Sequence, residues 1–250
     1  MRNSAEWLAR KVKGYGVTGQ IFFVGDTHGH FGHVIHAVQE LHPTAVIFLG
    51  DLQARRPLDQ ELKPILGLTD IWFIHGNHDT DSDHDYDNLF GSELAGRSLH
   101  GRVVEIAGVR VAGLGGVFRG QVWMPPGEAQ HETPGAYIAF CGKGNRWRGG
   151  LPRKHRSSIF PIDYARLAEE RAEMLVTHEA PTCHPHGFGA IDELARSLGI
   201  SRLFHGHHHD RLDYTAHRDR LGFEAFGVGF CGITDQTGRV VVTGKFDELG

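Results

Sequence analysis

The sequence predicts an α/β fold on three observations. A short apolar run closed by glycine and a polar cluster occurs three times before residue 80, as "IFFVGDTHGH", "AVIFLGD" and "IWFIHGNHD". Helix-patterned stretches separate the three runs, as crossover units require. The chain has 250 residues, 40% of them hydrophobic and 22% charged, which is enough for one large domain with a sizeable core and ordinary for a soluble protein.

In order along the chain, Gln20 to Val24 reads as a buried strand that Gly25 breaks, followed by a helix around His33 to Leu41. "TAVIFLGD" repeats the form, and so does "DIWFIHGNHD" after a helix from Leu58 to Leu66. Alternation of this kind implies a largely parallel sheet whose ligands gather beyond the carboxyl ends of the strands. "GRVVEIAGVRVAGLGGVF" reads as a hairpin turning at Ala107 and Gly108. Residues 119–156 break the pattern: they are rich in Gly and Pro and set Arg119, Lys143, Arg146, Arg148, Arg153, Lys154 and Arg156 against Glu128 and Glu132. This stretch reads as a basic insertion or lid on a single domain spanning residues 1–250. A helix from Ile162 to Ala172, the strand "MLVTH", a helix from Ala190 to Leu198 and the strand "RLFHGH" follow. Further strands are expected around Leu212 to Ala216, Gly222 to Gly227 and Arg239 to Thr243.

Composition narrows the function. A net charge of −4 and a pI near 6.5 argue against general nucleic-acid coating, which needs a basic footprint, and leave local basic patches open. No apolar run approaches the length of a membrane span. The opening "MRNSAEWLARKVKGYG" lacks the apolar core of a signal peptide, so a cytoplasmic protein is expected. Cys141, Cys183 and Cys231 are odd in number and contain no CxxC, which fits reduced, inert thiols.

Five strand ends carry residues of metal-ligand type: Asp26 and His28, Asp51, Asn77 and His78, His178, and His207 and His209. Each alone has a simpler account: a loop histidine, a helix N-cap for Asp26 or Asp51, a turn glycine. Together, at the ends of parallel strands, they would face one crevice. Two cations held close need a shared anion, and a carboxylate can bridge ions about 3.5–4 Å apart. Asp51 is the candidate bridge. Imidazole and carboxylate donors suit manganese, iron or zinc, and the absence of thiolates argues against a purely structural zinc.

The order D-x-H, GD, GNH(D/E), H, GHxH over residues 20–209 resembles the calcineurin-like metallophosphoesterase superfamily of binuclear metallophosphatases. The resemblance implies a four-layer α/β/β/α sandwich of two mixed sheets flanked by helices. It implies two divalent or trivalent metal ions, manganese first with iron or zinc as alternatives. One would be held by Asp26, His28, Asp51 and His209, the other by Asp51, Asn77, His178 and His207. It further implies that His78 contacts the phosphoryl group or protonates the leaving oxygen, with hydrolysis by a hydroxide bridging the ions. The substrate class is a phosphomonoester or phosphodiester, a nucleotide among them.

The chain departs from the phosphoprotein-phosphatase branch of that superfamily. That branch has GDxxDRG where this chain reads "GDLQARR". Arg55 matches the phosphate-clamping arginine, but Ala54 replaces the aspartate that orients the histidine equivalent to His78, and His75 stands where an arginine is usual. Asp79 could orient His78 or cap a turn. The insertion could supply substrate contacts through Arg146 and Arg148 among its aromatic residues, which would suit a nucleotide or nucleic acid and makes a nuclease the main rival reading. His184 and His186 in "CHPHGFG" could line the pocket or form a turn. Asp81, Asp83 and Asp85 could mimic a calcium loop, although a solvated acidic turn accounts for them without the loop's glycine and glutamate. A non-catalytic scaffold with this fold is a further alternative, but none of the matched positions is lost.

Overall fold

A computed structural model describes residues 19–247, so the basic opening stretch lies outside the described residues. Two five-stranded sheets carry the chain, ordered β10-β9-β1-β2-β3 and β4-β5-β6-β7-β8. β1 (Ile21–Val24), β2 (Ala45–Phe48) and β3 (Asp70–Phe73) run parallel, as do β5 (Val109–Leu114), β6 (Met174–Thr177), β7 (Arg202–His205) and β8 (Glu224–Gly227). Antiparallel partners make both sheets mixed: β9 (Ile233–Asp235) lies beside β1 and β10 (Val240–Val242) beside β9, while β4 (Arg102–Ile106) pairs with β5. The β4–β5 hairpin turns on Ala107 and Gly108, both with positive φ, as a tight two-residue turn demands.

The period of two along each strand sorts the core into layers. Ile21, Phe23 and Ile47 face Val111, Met174, Val176 and Phe204 between the sheets, where the Phe23 and Phe204 rings stack at 3.7 Å. The alternate residues Phe22, Val24, Val46, Phe48 and Phe73 pack against Val34, Ala37 and Val38 of the helix Gly32–Leu41. On the other sheet, Ala112, Leu114, Leu175 and Leu203 meet Leu167 of the helix Pro161–Ala168 and Ile191, Leu194, Ala195 and Leu198 of the helix Gly189–Leu198. The result is the four-layer α/β/β/α sandwich. Each fully buried Leu, Ile or Phe contributes about 1.5–3 kcal/mol of burial. Among the described residues no helix is long and apolar enough to cross a membrane.

Some elements differ from expectation. The helix expected over Leu58 to Leu66 closes at Glu61 and continues as a 3₁₀ turn, Lys63–Ile65, because Pro64 has no N–H to offer the previous turn. The strand expected over Leu212 to Ala216 is instead a loop leading into the 3₁₀ turn Thr215–His217: the Asp213 carboxylate accepts the Thr215 N–H at 2.9 Å and its hydroxyl at 2.5 Å, a local turn that competes with strand pairing. Of Asp81, Asp83 and Asp85, read as an acidic turn, the last two open the helix Asp83–Phe90. Ser82 caps it by accepting the Asp85 N–H at 3.0 Å, and Asn88 and Leu89 are its buried residues.

Candidate metal centre

The expected ligands come from the carboxyl ends of β1, β2 and β3 in one sheet and β6 and β7 in the other, so two sheets, rather than one, aim them at a common crevice. Ligand atoms of Asp26, His28, Asp51 and His209 lie within 4.8 Å of one another, and so do those of Asp51, His178 and His207. Asp51 belongs to both groups. Asn77 joins the second, its Oδ1 standing 3.2 Å from His178 Nε2.

Backbone geometry at the site is costly. His28, Asp51, His207 and His209 all have φ between 42° and 73°, the left-handed region that non-glycine residues seldom occupy and that collects at functional sites. The turn glycine of "GNH" has a more specific purpose than flexibility. A Cβ on Gly76 would collide with the Asp51 carboxylate and the His178 ring, so only glycine lets β3 end this close to the centre.

Surrounding groups set which ring nitrogen faces inward. His178 Nδ1 donates to the Leu49 carbonyl at 2.8 Å, leaving Nε2 toward Asn77 and, at 3.4 Å, Asp51 Oδ2. His28 Nδ1 is held by Gln53 Oε1 at 2.5 Å, which turns its Nε2 to within 3.1 Å of His209 Nε2. His209 Nε2 in turn lies 3.2 Å from Asp26 Oδ2. Fixing one imidazole nitrogen so that the other is free is how proteins prepare a metal ligand. The Asp26 carboxylate also accepts the His207 N–H at 2.9 Å, tying the β7 loop to the β1 loop.

The donor set fits cations on two further observations. Asp51 Oδ2 and His207 Nδ1 are buried without a hydrogen bond, and Asp51 Oδ2 has only the His178 ring nitrogen at 3.4 Å, so bound cations would satisfy atoms that the chain leaves short of partners. The electrostatics agree. At His178 burial opposes charge, yet the Asp51 and Asp26 carboxylates raise it to about 10. At Asp51 burial works upward, but His178 and the His78 N–H, which donates at 2.8 Å, hold the carboxylate below its ordinary range. The two carboxylates thus favour positive charge at His178, whereas burial and His178 itself push His207 down to about 3.

His78 stands at the mouth, its ring 5.4 Å from that of His28. Its Nδ1 bonds Asp81 Oδ2 at 2.5 Å, so the carboxylate that meets His78 comes from Asp81, where the sequence offers Ala54 or Asp79. Burial works to lower His78, but Asp81 and Asp51 together raise it above its ordinary value. Asp79 has another task. Fully buried, it accepts the N–H groups of Leu52 at 2.8 Å, Gln53 at 3.0 Å and Gly76 at 2.8 Å, clamping the β2 loop to the β3 loop. His75 is buried beside His100 and Phe90 and points away from any hydrogen-bond partner.

The remaining expected residues divide. Arg55 is exposed and lies against Gly29, next to His28. Arg146 spends its guanidinium on the Ile138 carbonyl, and Arg148 pairs with Asp87 at 2.5 Å and Asp83 at 3.4 Å. His184 is buried, stacked on His208 at 3.8 Å, with its Nε2 3.5 Å from Asp210; His186 is exposed and donates its N–H to His184 Nδ1. Cys183 is buried, and burial pushes its thiol up to about 11.

Sequence reasoning passes over Gln53, Glu179 and Arg119. Glu179, next to His178, is pushed up to about 7 by burial and accepts the Phe118 N–H at 2.9 Å, so the end of β5 borders the centre as well. Arg119 is half-buried and anchored on Ser157 O at 2.9 Å and Ser158 Oγ at 3.2 Å; burial lowers its pKa, against the charges of Glu179, Asp81 and Asp51. Adjacency to a candidate ligand was the available signal for Gln53 and Glu179; nothing in the local sequence singles out Arg119 from the other basic residues of its stretch.

Comparison with known proteins is consistent with this geometry. The model of the family described as calcineurin-like phosphoesterase matches residues 19–211. A Haemophilus influenzae protein described as uncharacterized is 43% identical over 222 residues, covering 89% of this chain and 96% of that one. The crystal structure of TT1561 of Thermus thermophilus superposes with a TM-score of 0.57 over 91% of this chain and 99% of that chain. At 12% identity that likeness is one of fold.

Proposed function

The chain belongs to the calcineurin-like phosphoesterase family, and from that premise we propose that it hydrolyses phosphomonoesters or phosphodiesters at a pair of metal ions. One ion is assigned to Asp26, His28, Asp51 and His209, the other to Asp51, Asn77, His178 and His207. The observation that carries this reading is the shared Asp51, common to two ligand groups with an unsatisfied buried oxygen between them. When bound, the two ions supply Lewis acidity, polarising the phosphoryl oxygens and lowering the pKa of water at the site. Manganese is the first candidate, with iron and zinc as alternatives for the same donors.

The chain's own groups do the rest. Gln53 and the Leu49 carbonyl hold His28 and His178 with Nε2 inward. Arg55 binds the phosphate from the open side, and Arg119 adds positive charge from the insertion side. His78, held through Nδ1 by Asp81, presents Nε2 to the ester and donates its proton to the leaving oxygen. A reducing compartment, the cytoplasm, suits the free cysteines.

The test is turnover of p-nitrophenyl phosphate, its bis-ester and glycerol 2-phosphate in manganese by wild type, Asp51→Asn and His78→Ala. Asp51→Asn should lose activity on all three esters. His78→Ala should lose about 10²–10⁴-fold on glycerol 2-phosphate and much less on the nitrophenyl esters, whose leaving group needs no proton. Equal rates for the three proteins would refute the reading.

A further inference from the structure

We infer that Phe246, with Phe230, Lys245 and Arg55, forms a shelf for the base of a nucleoside phosphate whose phosphate group lies in the metal centre. The inference rests on the phosphoesterase reading and specifies its substrate class. It starts from the loops flanking β9 and β10, which no expected ligand occupies. Phe230 packs its ring 5.1 Å from that of His209 and 5.4 Å from that of His28. Phe246 lies 5.2 Å beyond Phe230 with the two planes 18° apart, and 6.5 Å from the His209 ring. Backbone bonds fix this order: the Phe230 N–H donates to the His209 carbonyl at 3.1 Å, and the Lys245 N–H donates to the Phe230 carbonyl at 2.8 Å.

The outer ring is unspent. Phe246 is 64% exposed, a flat apolar face held open to water beside a polar centre. Offset stacking at such separations is the geometry aromatic faces prefer, and a base on an aromatic side chain completes the same column. The shelf is also cationic. Lys245 Nζ sits 4.9 Å over the Phe230 ring, and Arg55 lies against Gly29, next to the His28 ring that Phe230 packs on. Among the described residues neither Arg55 nor Lys245 makes an ion pair, in contrast to Arg148 and Arg153.

A ligand that satisfies both features carries a flat aromatic group and an anionic phosphate. The exposed face is the second ring out from His28, not the first. A phosphotyrosine, whose ring is joined directly to the phosphate oxygen, would meet Phe230. A nucleoside phosphate, with a ribose between phosphate and base, reaches Phe246.

The test compares adenosine 5′-monophosphate with ribose 5-phosphate and with phosphotyrosine on the full chain. In manganese, wild type should favour the nucleotide in kcat/KM by roughly tenfold, the worth of one stacked base. Phe246→Ala should erase that preference while leaving ribose 5-phosphate within about twofold, and Phe246→Trp should keep it. In metal-free protein, saturation transfer from protein to the adenine protons should be seen in wild type and Phe246→Trp and lost in Phe246→Ala. Equal kcat/KM for the two substrates in wild type, a preference for phosphotyrosine, or adenine contacts that persist in Phe246→Ala would overturn the shelf. Failure to turn over any phosphate ester would count against the phosphoesterase reading alone, because the adenine contacts are read without turnover.

Discussion

Two rims border the centre, and their cations are used differently. On the side of residues 119–156 the arginines that face the helix Asp83–Phe90 are spent within the protein. Arg148 pairs with Asp87 and Asp83, Arg153 bonds Asp83, Arg156 donates to the Tyr86 hydroxyl at 3.1 Å and lies over the Tyr86 and Trp147 rings, and Trp147 Nε1 donates to Asp83 at 3.0 Å. The helix Asp83–Phe90 and the basic stretch neutralise each other across some sixty residues of sequence. On the opposite side Arg55 and Lys245 have no ion-pair partner among the described residues, and Phe246 is open to water. A run of basic residues therefore says little about ligand binding until its counter-charges are found. Here the acidic turn and the basic insertion, each suggestive alone, are two halves of one structural contact.

That contrast can be broken by substitution. Arg55→Ala should lower kcat/KM for every phosphate ester by roughly tenfold or more, the worth of a charge-assisted hydrogen bond, without moving the thermal midpoint. Asp81→Asn should have a smaller effect on rate and a distinctive effect on pH dependence. In the proposed mechanism His78 must be protonated to act, and Asp81 helps raise its pKa, so activity is expected to fall as pH rises through that pKa. Without the carboxylate the alkaline limb of the kcat/KM profile should move to lower pH; an unchanged limb would mean that Asp81 does not govern His78. Arg148→Ala should have the smallest effect. It should cost no more than about 1 kcal/mol of stability, as exposed ion pairs do, and leave kcat/KM within about twofold. A larger loss of turnover in Arg148→Ala than in Arg55→Ala would reverse the roles assigned to the two rims.

The strands that end in candidate ligands are legible because their signal is local. "IFFVGD", "AVIFLGD" and "MLVTH" each pack an apolar strand and a polar end into a few residues, and β1, β2 and β6 lie where those runs predict. The helix Asp83–Phe90 was not legible as a helix, because its buried face is only Asn88 and Leu89, with Tyr86 and Phe90 lying against Trp147 and Phe73 respectively. The short strand Ile233–Asp235 carries too few residues for a period to show. The partner of His78 was hidden for a related reason. Asp79 is its sequence neighbour, but the 3₁₀ turn His78–Thr80 sends Asp79 inward to three backbone N–H groups and brings Asp81 round to the imidazole. The partition of strands between two sheets also lay beyond local pattern and came with the family resemblance.

The central claim is that Asp51 is common to two metal sites, and metal stoichiometry tests it most directly. Metal-free protein titrated with manganese(II), with bound metal counted per chain, should take up two ions in wild type, and Asp51→Asn should weaken both. Saturation at one ion or none in wild type, or two ions held with unchanged affinity in Asp51→Asn, would contradict it.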